Sequence, residues 1–270
     1  MATPKIPQGI NAQPCTDENL NIAMGCYPGL RYVHKFGSNE AVGTSYEDIW
    51  MAGGVHTNLT AATLLEVASS SANDASPSGT GARTIRIEGV DANWAEVSED
   101  VTLNGQTPVT TTTEFLHVNR VYILTAGSSA TNEGDIYIAD DVTDWTAGVP
   151  DTASAIEATI EDNHGQTQQA IYHIPAGYTA YITKGYVTAA AGKTVTFQFV
   201  LRTTSADPVE RVLFEGTIKD AEFINDYVPY SAIPEQSIVF VRAKVDSTSA
   251  EVSAGFDLIL VDHTEYPGIL

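Results

Sequence analysis

Positive charge is scarce in this 270-residue chain: thirteen Lys and Arg stand against thirty-four Asp and Glu, for a formal charge of −21. A surface so acidic repels nucleic acid phosphates and anionic lipid headgroups, which excludes DNA, RNA and membrane binding as main functions. Long apolar runs are missing too. No stretch reaches the roughly 18 residues needed to span a bilayer as a helix. The opening MATPKIPQGINAQPC lacks the apolar centre of a secretory signal, so the expectation is a protein that stays in the cytoplasm that made it. Cys15 and Cys26 are the only cysteines. Without further ligands nearby they do not form a zinc cluster, and two free thiols in a reducing compartment are expected. In that compartment the sequon Asn58-Leu59-Thr60 stays unglycosylated.

Catalytic signatures are equally thin. The chain has no H-E-x-x-H, no G-x-S-x-G and no P-loop lysine motif. Gly79-Thr80-Gly81 runs into a strand instead of opening a helix, which removes the dinucleotide reading. The six histidines are scattered: His173, next to Ile174 and Pro175 in a strand, reads as a packed or surface residue, and His34, His56, His117, His164 and His263 are read as having no acidic partner at ligand spacing. Asp140, Asp141 and Asp144 are the best metal candidates, since close carboxylates can share calcium. They lack the glycine and terminal glutamate of an EF-hand, so a solvated turn is expected. Trp50, Trp94 and Trp145 could stack on sugar faces, but their surroundings do not repeat and core packing accounts for them. No enzyme, cofactor or metal is expected.

Strand patterning fills most of what is there. GARTIRIEGVDANWAEVSEDVTLNG, residues 81 to 105, places Ile85 and Ile87 on one parity and Thr84, Arg86 and Glu88 on the other. Val97, Val101 and Leu103 repeat the alternation, and Asp91 and Asn93 suit a turn within 89 to 94. Glu99 falls on the apolar parity, as on an edge strand. From Lys193 to Arg202, Val195, Phe197, Phe199 and Leu201 face a core. Tyr178 to Thr188, after the turn Pro175-Ala176-Gly177, is expected to be its hairpin partner. A third hairpin is expected around Asp246 to Ser249, pairing Val239, Val241 and Val245 with Val252 to Leu260. Helical signals are confined to Asp17–Met24 and Thr152–Glu161.

Many short strands, frequent Thr and little helix predict an all-β antiparallel β-sandwich, jelly-roll-like, with an extended N-terminal arm. The arm or first strand covers residues 1–40 and the sandwich 41–270, with an internal boundary possible near 163–169. In PGLRYVHKF, residues 28 to 36, Leu30, Tyr32 and Phe36 sit among Arg31, His34 and Lys35. They are candidate partner-binding residues of a reaching arm, or else part of an ordinary first strand. The Gly/Ser/Pro-rich segment 69 to 81 reads as a polar loop and a second candidate contact.

Residues 81 to 139, with QAIYHIPAGYTAYITKGYVTAAAGKTVTFQFVLRT and IPEQSIVFVRAKVDSTSAEVSAGFDLILVD, resemble virion structural proteins of tailed bacteriophages, especially marine ones. The likeness spans roughly residues 45 to 262. It implies a non-enzymatic, head-associated virion part assembled in the host cytoplasm. The expected form is a capsid decoration or cementing protein that binds the major capsid protein or other virion proteins as a homo-oligomer, with a trimer possible. A receptor-binding or tail-fibre-associated glycan-binding module is the alternative.

Overall fold

The computed structural model describes residues 17–140, 144–204 and 208–268. It is all-β, with antiparallel pairing throughout the described residues. A short helix, α1 (Glu18–Ala23), comes first, started by the Asp17 carboxylate accepting the Leu20 N–H at 3.1 Å. Then come β1 (Leu30–Val42), β2 (Glu47–Asp48), β3 (Leu65–Ser69), β4 (Ala82–Val90), β5 (Glu96–Thr102), β6 (Val109–Thr110), β7 (His117–Ala126), β8 (Ile136–Asp140), β9 (Trp145–Thr146), β10 (Val149–Pro150) and β11 (Ile156–Ile160). The chain continues through β12 (Ile171–His173), β13 (Tyr178–Ala189), β14 (Thr194–Thr203), β15 (Glu210–Lys219), β16 (Phe223–Ile233), β17 (Ser237–Val245) and β18 (Ala250–Asp262).

These strands form four small, blade-like sheets and the two-stranded ribbon β9–β10. Two sheets, ordered β1-β18-β13-β16 and β12-β17-β14-β15 with β2 beside β17, enclose a core that includes Phe197, Phe199, Val241, Phe256 and Leu258. The other two, β11-β8-β3-β6 and β5-β4-β7, enclose a second core of Leu65, Ile85, Ile87, Phe115, Ile136 and Ile138. The second sheet pair is therefore inserted in the chain between β2 and β12 of the first. A third apolar cluster, containing Trp50, Trp94, Leu116, Val200 and Phe240, joins the two pairs.

The hairpin at residues 81 to 105 is present: β4 pairs with β5 from Thr84↔Thr102 to Val90↔Glu96. Asp91 builds its turn by accepting the N–H groups of Asn93 at 2.8 Å and Ala95 at 2.9 Å. β5 is an edge strand, and Glu99 turns its carboxylate to the Thr112 and Thr113 N–H groups, at 2.9 and 2.7 Å. Burial pushes this carboxyl up, but those hydrogen bonds outweigh it and hold it below the usual range. Glu99→Ala should cost about 1 kcal/mol, the worth of hydrogen bonds to a partly exposed charged group. Faster amide exchange at Thr112 and Thr113 than at Val101 is the expected readout.

Two expected hairpins are absent. β13 pairs with β18 and β16, not with β14, and β17 pairs with β14, β12 and β2, not with β18. In both cases the connection carries the chain from one sheet to the facing one. The helical signal at 152–161 gives only a 3-10 turn, Ala153–Ala155, and then β11. Every residue of β11 is buried, because one face meets the second core and the other meets the joining cluster. The segment Ile156-Glu157-Ala158-Thr159-Ile160 keeps the alternation of a strand, and the helix-start signal before it supports only the 3-10 turn.

Candidate functional site at the seam between the sheet pairs

The seam holds an unusual concentration of buried polar side chains. His56 comes from the loop after β2, His117 from the start of β7 and His173 from the end of β12, and all three are buried. The rings of His117 and His173 stack with centroids 4.1 Å apart, and Trp94 meets His117 edge-on at 4.9 Å. Trp50 packs edge-on against His56 at 4.7 Å. Asn119 braces the stack, its Oδ1 accepting the His173 N–H at 2.8 Å and its Nδ2 donating to the His173 carbonyl at 3.0 Å. His173 Nδ1 and Nε2 lie 3.0 Å from Asn119 Oδ1 and Asn58 Oδ1.

Desolvation sets the charge states here. Burial pulls His56 down to about 4 and His117 down to about 3, and it drives His173 well below its ordinary value. Burial also pushes Glu157 up to about 8 and Asp48 up to about 6. His56 Nε2 sits 3.1 Å from the Glu157 carbonyl but 3.9 Å from its carboxyl oxygen. A neutral imidazole donating to the carbonyl, beside a protonated carboxyl, satisfies both the distances and the burial.

One side of the seam opens into a polar cleft of about 510 Å³ between β1 and the strands β4, β5 and β7. Arg31 spans it to Glu96 with two hydrogen bonds of 3.0 and 2.6 Å. Arg120 donates to Gln166 at 2.8 Å and lies over the Tyr122 ring, whose hydroxyl donates to Glu88 at 3.1 Å. Lys35 lines the cleft while only 6 % exposed, and its ammonium donates to the Asn119 carbonyl. Burial, with the Arg120 charge adding to it and Glu88 opposing, brings Lys35 down to about 7.

The sequence candidates are placed as follows. Leu30, Tyr32 and Phe36 lie on β1, which is paired with β18 from Leu30↔Val261 onward. Leu30 and Tyr32 are half-buried against Ile259 and Val261, alongside Ile22 of α1. Asp140 ends β8, Asp144 precedes β9, and Asp141 lies outside the described residues. Among the described residues no group of three or more His, Cys, Asp or Glu is placed to hold a metal ion. Trp50 and Trp94 are buried in the joining cluster and Trp145 donates to Glu66 at 2.6 Å, so the three form no shared exposed platform. Cys26 is buried, and Cys15 lies outside the described residues. The loop at 69 to 81 is tethered by buried Asp74, which accepts from Ser69 Oγ at 2.6 Å, Ala82 N at 2.7 Å and Glu133 N at 2.9 Å.

No protein-family model matches this chain, and no curated protein does. Among solved structures, weak neighbours are viral capsid proteins. A structure of infectious bursal disease virus Gx strain is 9% identical, with 89% of this chain and 74% of that chain covered and a TM-score of 0.26. The infectious bursal disease virus VP2 subviral particle is 12% identical over 89% and 74%, at 0.24. The STIV MCP is 9% identical over 88% and 100%, at 0.23. TM-scores this low carry no argument about this chain.

Proposed function

We propose that this chain is a non-enzymatic structural protein of a tailed-phage virion, and specifically a decoration or cementing protein on the head shell. The observation that carries the reading is connectivity. Taking β2 with β12 as one position, the eight strands of the first sheet pair fall in the orders 1-8-3-6 and 2-7-4-5. This alternation between facing sheets supports a jelly-roll assignment, an architecture used by capsid and lectin domains. Strand β1 pairs with β18 and β12 with β17, so the block closes only when the last strands of the chain are in place. That suits a durable coat. The formal charge of −21 favours the outer surface of a shell, away from packaged nucleic acid. The sequence resemblance supplies the virion context, since a fold alone does not define a function.

Co-sedimentation of the purified protein with heads that lack it is the direct test. A homo-oligomer, in the simplest case a trimer by native mass measurement, should pellet saturably with the heads. A monomer that stays in the supernatant would refute the decoration reading. The open polar cleft favours a second reading, a receptor-binding or tail-fibre-associated module that takes a glycan.

A further inference from the structure

We infer that the cleft between β1 and the β4-β5-β7 sheet is a binding site for a carboxylated saccharide, with Lys35 and Arg120 receiving the carboxylate. The inference deepens the glycan-binding reading and rests on it. Thirteen basic residues serve the whole chain, yet Arg31, Lys35 and Arg120 converge on this one cleft. They are not equivalent. Arg31 is neutralised by its bidentate pair with Glu96. Among the described residues Lys35 has a single hydrogen bond, to the Asn119 carbonyl, although an ammonium carries three donors. A cation 94 % removed from solvent and so sparsely bonded is costly in the empty protein and is compensated by an anionic guest.

The remaining walls fit a sugar better than a peptide or an apolar ligand. About 510 Å³ lies in the range of small-molecule sites and accommodates one or two sugar rings. Ser98 and the Arg31–Glu96 pair present donors and acceptors suited to hydroxyl groups. A carboxylate guest also interacts best with a protonated Lys35. The charged and titratable groups facing that amine are Arg31 of β1, Glu88 of β4, Glu96 of β5, Arg120 of β7 and Tyr172 of β12, while the His34 ring lies on the opposite face of β1 beside Asp257. Because burial brings the amine into the neutral range, affinity should rise as pH falls from 8 to 6.

Titration calorimetry of the full chain with D-glucuronic acid, N-acetylneuraminic acid, D-glucose and acetate tests this. At least one acidic sugar should bind ten-fold or more tightly than glucose and acetate, and Lys35→Met should abolish that preference. Ser98→Trp, at an exposed position on the cleft wall, should block binding without altering a buried group. Equal binding of glucose and glucuronic acid would overturn the carboxylate assignment while leaving a glycan site standing. Equal binding of acetate would reduce the site to a plain anion site and overturn the saccharide assignment. Absence of binding by all four probes, or retention of the preference in a folded Lys35→Met protein, would overturn the inference altogether.

Discussion

Phe197→Asp should leave no cooperatively folded protein at 25 °C. Phe197 is fully buried, and its ring meets Phe199 at 6.1 Å, Phe214 at 6.0 Å and Phe223 at 4.9 Å between centroids. A Cβ added at Gly216 would lie 2.6 Å from that ring, so the neighbouring strand β15 of the same sheet is already in close contact with it. The substitution removes an aromatic side chain and leaves a carboxylate without a partner in the first core. The combined cost is on the order of 5 kcal/mol or more, comparable with the whole stability of an ordinary domain. Thr196→Asp is the control. Thr196 faces away from that core and lies 3.2 Å from the Thr217 hydroxyl, so its variant should keep a cooperative thermal transition. Loss of folding in both variants would contradict the face assignment of β14.

The second large effect is on acid stability. His117 titrates at its ordinary value when the chain unfolds, but at about 3 when folded, chiefly because of burial, with His56 adding to it. A depressed histidine contributes stability that is present above its unfolded value and lost as pH falls toward the folded one. Between pH 7 and pH 5 the unfolded chain gains a proton that the folded chain refuses, which costs about 2 kcal/mol for this residue. Glu157 and Asp48 act in the opposite sense, because acid relieves their buried carboxyls, so the wild-type curve is a sum of opposing slopes. The comparison with His117→Phe isolates one member. Phenylalanine retains the edge-on contact with Trp94 and the stacking on His173, and its variant should lose about 2 kcal/mol less than wild type between pH 7 and pH 5 in urea unfolding. Identical pH dependence in the two proteins would contradict the buried, neutral state of His117.

These outcomes bear on what the sequence made legible. The β4–β5 hairpin was readable because alternation, an Asx turn and a short connection agree on one neighbour. Around Asp246 to Ser249 the same signals misled. Alternation tells which face of β17 or β18 is buried, but not whether the next strand lies beside it or across a core about 10 Å thick. The short turns at 190–193 and 246–249 serve the crossing as well as they would a hairpin. β11 misleads for another reason: Thr152 and the small residues Ala153 to Ala155 mimic a helix start, although Ile156 to Ile160 alternates as a strand does. The seam was the least legible part. His56, His117 and His173 come from three distant segments, and only the return of the chain through β12 brings them together. Lys35 stood in a conspicuous basic run, PGLRYVHKF, yet nothing in that run distinguishes it from the exposed Arg31 and His34. Its burial depends on β7, far along the chain. What could have signalled the seam is the coincidence of histidine, asparagine and tryptophan near strand ends, which is visible only once the topology is known.

Cryo-electron microscopy of virions carrying this protein tests its proposed place on the head shell most directly. The predicted map shows two-lobed density, one lobe for each sheet pair, repeated on the outer head surface with the symmetry of the shell. Density confined to the tail, or virions from which the protein is absent, would contradict the decoration reading.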